Sequence, residues 1–304
     1  MRFRFFAPFL FICAIAAFAP GLSAQETLNS ALRASLDSRL QSEASHLDGV
    51  MGYHIEDLKT GESFSLHANT VFPQASSIKL AILLELLRQA QEGKLSLGEE
   101  QKITPSETVG GSGILFMLRN GPLTMSLGDL TTLMVVLSDN SATNILIRRV
   151  GMASVNAEIA RLGLKRTALR RFMMDLAASA RGQENVSTPS EMAALLVDVD
   201  RGRALDPAYT KRYFDFLELP KESEFHQALP ESVTIADKPG ALPGVRCDSG
   251  IVEIPGHPFV ISVMTTYLKN GRDGEAAIER VARLAYDYFD RLTHSSVYGA
   301  AVAK

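Results

Sequence analysis

Cysteine is nearly absent: the 304 residues hold two, Cys13 and Cys247. Cys13 falls in an N-terminal stretch that reads as removable, so the mature chain has no internal disulfide and must rest on core packing. Phe11-Ile12-Cys13 also lacks the small residue that lipid attachment wants before the cysteine. Charge is close to balanced, at −3 net, which leaves no electrostatic basis for nucleic-acid or polyanion binding. The six histidines (His46, His54, His67, His226, His257 and His294) show neither H-x-H nor H-E-x-x-H spacing, which argues against a zinc hydrolase. Repeats and low-complexity tracts are missing too. The run from Phe5 to Phe18 is broken by Pro8 and is short for crossing a bilayer. It follows the basic Met1-Arg2-Phe3-Arg4 and ends in Pro20-Gly21-Leu22-Ser23-Ala24. Residues 1–24 therefore read as a secretory signal rather than a membrane anchor. The expected location is secreted or periplasmic, with no stable membrane anchor after cleavage.

What remains is apolar and compact in composition, with 46% hydrophobic residues. Its most apolar stretch runs from Ser76 to Gln91, where Leu80, Ala81, Ile82, Leu83, Leu84, Leu86 and Leu87 leave almost no polar face. Such a helix belongs at the buried centre of a domain. Before it, Asn29 to Ala44 has Leu32, Leu36 and Leu40 at helical spacing. Val50 to Asp57 and Ser63 to His67 then read as two strands around the turn Lys59-Thr60-Gly61-Glu62. Ser126-Leu127-Gly128-Asp129 starts a second apolar helix that stops at Ser138-Asp139-Asn140, and a third follows to Arg149. Thr188-Pro189-Ser190-Glu191 starts a helix to about Val199. Strands return from Val233, around the turn Pro255-Gly256-His257-Pro258, and a long amphipathic helix closes the chain from about Gly274 to Leu292. This order predicts an α/β (α+β) protein in two parts: residues 25–70 and 215–304 share one sheet, and 71–214 form a helical domain.

Ser76 and Lys79 stand three apart at the entry to the central helix, so their side chains share a face. A hydroxyl beside an amine is a plausible nucleophile–base pair. Alone, S-x-x-K is commonplace, and Ser138-Asp139-Asn140 alone is an ordinary helix break. With Lys238-Pro239-Gly240 they form an ordered set in suitable structural settings, and that set resembles class A β-lactamases and penicillin-binding proteins. The resemblance spans roughly Ala31 to Leu292.

That resemblance implies a β-lactamase/transpeptidase-like fold, an antiparallel sheet flanked by helices plus an all-helical domain. It makes Ser76 the acylated nucleophile and Lys79 its proton-accepting partner. Ser138 would relay a proton to the leaving nitrogen, Asn140 would hold substrate and Lys79, and Lys238 would face the substrate carboxylate. Gly240 and Ala241 would border the substrate, Ala241 completing an oxyanion hole with the Ser76 N–H. Pro239 replaces a hydroxyl residue; its missing N–H is expected to have faced the open cleft, and Arg246 is expected to compensate for the lost grip. No metal or organic cofactor is implied. The expected partner is a small β-lactam or peptidoglycan-like substrate, handled by a monomer.

One segment departs from the family. Leu162-Gly163-Leu164 and Thr167-x-Leu169-x-Arg171 keep the register leading to the glutamate that activates the deacylating water. Met173 occupies that position and Ala177 that of a following asparagine; a thioether is no general base. Asp175 is the nearest carboxylate and the candidate substitute, with a partnership to Arg170 or Arg171 as its structural alternative; Glu184 is a poorer candidate. Two other nucleophiles read weakly. Gly110-Gly111-Ser112-Gly113-Ile114 misses the last glycine of G-x-S-x-G, and Cys247 is more ordinarily a strand thiol. Three activities are thus weighed: a serine β-lactamase with slow or altered deacylation, a DD-peptidase or esterase that β-lactams acylate, and a non-catalytic binding protein on the same scaffold.

Overall fold

The computed structural model describes residues 24–118, 121–296 and 298–302. The segment read as a secretory signal, with Cys13, lies outside the described residues, except that Ala24 opens the first helix. That helix, α1 (Ala24–His46), leads into the hairpin β1 (Val50–Asp57) and β2 (Ser63–Leu66). Strands β3 (Phe72–Pro73) and a 3-10 turn (Ala75–Ile78) precede the central helix α2 (Lys79–Gln91). The small hairpin β4 (Glu100–Ile103) and β5 (Leu123–Ser126) follows, then α3 (Leu127–Val136), α4 (Asn140–Val150) and α5 (Met152–Arg161). Next come α6 (Leu176–Ala180), β6 (Val186–Ser187), α7 (Pro189–Asp200), α8 (Pro207–Leu217) and α9 (Glu224–Ala228). The chain closes through β7 (Thr234–Leu242), β8 (Val245–Glu253), β9 (Phe259–Thr266) and α10 (Gly271–Thr293).

Five strands form one antiparallel sheet in the order β2-β1-β9-β8-β7, so the first hairpin and the last three strands do share it. Strand alternation divides the core between its faces. Ala236, Ile251, Val260 and Met264 point to one side and join the cluster around α2, α4, α5 and α7. Their neighbours Ile235, Val252, Ile261 and Val263 point to the other, against α1 and α10. In α2, Leu80 through Leu87 are all buried, which is why its sequence has no polar face.

One local reading shifts. The central helix does not begin as α-helix at Ser76, because its first turn is wound as 3-10, a common way to tighten a helix start. Pro239 lies within a strand, as the sequence reading had it: β7 runs unbroken from Thr234 to Leu242. Pro239 is tolerated because β7 is an edge strand and its pairing with Asp248 needs no N–H from that residue. Helices α5, α8 and α9 and the hairpin β4–β5 are additional elements. No helix among the described residues is long and apolar enough to cross a membrane.

Candidate active site

The 3-10 turn sets the first distance. Residues three apart eclipse in that geometry, and Lys79 Nζ lies 3.0 Å from Ser76 Oγ. The same ammonium or amine reaches Ser138, 2.7 Å from its carbonyl oxygen and 2.9 Å from Oγ. Both oxygens of Ser138 face Lys79 because this residue adopts a left-handed backbone, φ 52°. Burial, and after it the positive charge of Lys238, hold the Lys79 amine well below the usual lysine range. A neutral amine has two N–H donors and one lone pair. With three oxygens around it, and the Ser138 carbonyl able only to accept, the lone pair falls to a hydroxyl. Ser76 Oγ–H is placed to give Lys79 its proton.

Strand β7 brings the second amine. Lys238 is 1% exposed, and burial lowers its pKa to about 8 against the opposing pull of Asp237 and Asp248. Its Nζ donates to the carbonyl of Pro239 at 3.1 Å. Gly240 explains how the strand can come so near the serine. A Cβ there would lie 2.8 Å from Gln74 O, Ser76 N and Cys247 Sγ alike, closer than side chains allow. Ser76, Ser138, Lys238, Pro239, Gly240 and Ala241 line one cleft of about 910 Å³, with the Ser76–Lys79 contact at its floor.

Ser138 is held by a residue the sequence reading gave no task. Asp139, 1% exposed, caps α4 by accepting from Ala142 N at 2.9 Å. Its Oδ2 accepts from Ile114 N at 2.7 Å and Leu115 N at 2.9 Å, tying the glycine-rich loop to the motif. A Cβ on Gly113 would fall 2.2 Å from that Oδ2, so the glycine belongs to this packing and not to a nucleophile elbow. An aspartate followed by a helix is a cap signal, and that would have found it.

A family model described as the beta-lactamase enzyme family matches residues 35–289. The chain belongs to this family. An imipenem-hydrolyzing β-lactamase of Enterobacter cloacae is 27% identical over 79% of this chain and 85% of its own length. The β-lactamase ROB-1 of Haemophilus influenzae is 27% identical over 84% and 85%. Among solved structures, PBP-A superposes with a TM-score of 0.77 at 27% identity, over 84% of this chain and 96% of that one. An ancestral class A β-lactamase gives 0.76 at 26%, over 83% and 99%. The resemblance read from three motifs therefore stands, and so does the fold it implied.

Other expected residues of this β-lactamase family member have partners of their own. Asn140 follows Asp139 at the start of α4, and its Nδ2 donates to Gly110 O at 3.1 Å, bracing the same loop that Asp139 holds. Arg246 is turned away from the serine. Alternation along β8 sends it to the opposite face from Cys247, where it bonds Glu275 Oε1 at 2.7 Å and the carbonyls of Leu242 and Val245. Its charge is spent there. Asp175 is the cap of α6, accepting from Ala178 N at 2.9 Å, and is neither in the cleft nor paired with Arg170 or Arg171. Arg171 instead pairs with Glu184 at 2.7 Å, which removes the second spare carboxylate.

Met173 is 7% exposed and packs with the helical core. Asn144 clamps its backbone from both sides, accepting from Met173 N at 2.8 Å and donating to Met173 O at 3.0 Å. Asn185 fixes the start of this segment by accepting from Arg170 N and Arg171 N, and its own carbonyl takes the N–H of Gln74 beside the serine. The segment is thus rigidly fastened near the site, without a carboxylate at its Met173 position. Cys247 is fully buried, and burial pushes its thiol up to about 12, unsuited to attack. Among the described residues, no group of three or more His, Cys, Asp or Glu is placed to hold a metal.

Proposed function

We propose that this β-lactamase family member is an exported serine hydrolase that opens the β-lactam amide through an acyl-Ser76 intermediate and releases that acyl group slowly. The observation carrying this reading is the single amine, Lys79, within hydrogen-bond reach of both Ser76 Oγ and Ser138 Oγ. Neutral Lys79 takes the Ser76 proton as Oγ bonds the lactam carbonyl carbon. The oxyanion is received between the N–H groups of Ser76 and Ala241. The C–N bond then breaks, Ser138 gives its proton to the departing nitrogen, and Lys79 returns one to Ser138. Lys238 supplies positive charge for the substrate carboxylate. The ester so formed needs an activated water, and Met173 offers no base for it.

Intact-mass measurement after mixing with a penicillin is the test. A persistent adduct on the wild type supports slow release; rapid turnover of a chromogenic cephalosporin with no adduct overturns it. A peptidase or esterase is the second reading, favoured by Met173 and by the likeness to PBP-A, a mutant of which is solved as an acyl-enzyme complex with penicillin G. Hydrolysis of a D-Ala-D-Ala peptide in preference to the cephalosporin decides for it. Failure of any acylation leaves the non-catalytic binding protein. The signal segment supports export, testable by the N-terminus of the secreted form, and size-exclusion chromatography checks the proposed monomer.

A further inference from the structure

Lys238 follows a buried carboxylate in the chain. Asp237 stands one residue earlier on β7, and strand alternation turns it with Ile235 toward α9 and α10, away from the serine. Against burial, which raises its pKa, His226 and Lys221 hold Asp237 below the usual carboxylate range. It is therefore a fixed negative charge beside the amine that faces the substrate. Lys221, from the connection 218–223 between α8 and α9, meets it at 2.8 Å, and neither side chain is exposed. The same ammonium donates to Leu219 O at 3.3 Å and to Leu217 O, so its three N–H groups are all taken. Lys238 by contrast has one acceptor among the described residues, Pro239 O at 3.1 Å. A buried anion stripped of its counter-charge is strongly unfavourable and draws the next available cation. Here that cation is Lys238.

We propose that Lys221 is a positioning residue for the acylation: by neutralising Asp237 it leaves the Lys238 ammonium free to bind the substrate carboxylate. The proposal rests on the acylation reading above and adds a residue whose amine never touches the substrate. The charges acting on Lys238 are Lys79 in the cleft, Asp237 on its own strand, Asp248 on β8, and Lys221; the Cys247 thiol beside them is neutral. Glu224 and His226 on α9 act in turn on Asp237. Removing the charge of Lys221 takes away a repulsion and unmasks an attraction, so Lys238 holds its proton to higher pH. Removing the charge of Asp237 does the reverse.

The test follows penicillin labelling of the full mature chain by intact mass as a function of pH. Labelling should fall as Lys238, lowered by burial to about 8, loses its proton. Lys221→Gln, whose amide can still bond the two carbonyls, should move that fall upward by about one pH unit. It should also slow labelling severalfold at neutral pH, where Lys238 is charged but drawn to Asp237. Lys221→Arg keeps the charge and should keep the wild-type profile. Asp237→Asn should move the fall downward by about one pH unit. A merely structural role lowers the rate at every pH without moving the fall. A fall that stays put or moves down in Lys221→Gln, or moves equally in Lys221→Arg, overturns the proposal and leaves the acylation reading intact. If Lys221→Gln does not fold, Asp237→Asn decides, and an unmoved fall there overturns it. If penicillin labels the wild type at no pH, the acylation reading fails. The carbon-13 resonance of Lys238 Cε, assigned by its loss in Lys238→Arg, then decides: titration midpoints shifted in the stated directions support the proposal, and equal midpoints overturn it.

Discussion

Two loops flank the serine, and they carry opposite kinds of residue. Around Ser138 the polar atoms converge on Lys79, so that three oxygens surround one buried nitrogen. Around Met173 the polar atoms turn away from the cleft: Asn144 holds backbone, Arg171 holds Glu184, and Asp175 caps a helix. The first arrangement is built to move protons and the second to hold a shape. A site in which only one of two flanking loops carries titrating groups is expected to complete the first half of a two-step hydrolysis and stall at the second.

The largest expected effect breaks the active half. Ser76→Ala should show no covalent adduct with any β-lactam by mass spectrometry, a loss of about 10⁴-fold or more. Next, Met173→Glu should convert the inert half. A carboxylate there is expected to speed acyl release about 100-fold, read as disappearance of the adduct and appearance of steady turnover. Burying that carboxylate should cost about 1–3 kcal/mol in chemical denaturation.

The two halves should also respond differently to pH. Lys238, lowered to about 8 by burial, is cationic below that pH and neutral above it. Acylation by a penicillin should therefore fall on the alkaline side of about pH 8, approaching tenfold per pH unit, while release of the acyl group does not follow it. Lys238→Arg should remove this limb. The stability effect has the opposite sign. Between about 8 and the ordinary lysine value the unfolded chain binds more protons than the folded one, so this group's contribution to stability rises with pH across that window.

Smaller effects belong to the shape-holding loop. Asn144→Ala leaves Met173 N and O buried without partners and should destabilise the protein by about 3 kcal/mol in a urea titration. Asp175→Ala removes a helix cap and should cost about 1 kcal/mol with no change in the rate of acyl release. A slower release in that variant would restore Asp175 as a base and erase the contrast between the loops.

Much of this was readable in advance, for reasons that differ by residue. The burial of α2 followed from a run of leucines with no polar face, and the start of α7 from Thr188-Pro189-Ser190-Glu191, because caps and amphipathicity are local properties. Asp175 and Arg246 were misplaced because each depends on contacts made in three dimensions. A carboxylate two residues from the expected base was closer in sequence than in use, since the nearest free N–H groups were those of the helix it starts. Arg246 had a carboxylate waiting on α10, and strand alternation decided which face it took.

The sequence by itself determined the family, the main helices and strands that frame the cleft, the candidate pair Ser76 and Lys79, and the missing carboxylate at Met173. These rest on short-range spacing and residue chemistry, which survive any arrangement of the chain. Only the tertiary structure decided which charges remain free to meet a substrate. Neutralisation is a matter of distance between atoms far apart in the chain, and the pairs Lys221–Asp237, Arg246–Glu275 and Arg171–Glu184 form only once the sheet and helices have closed.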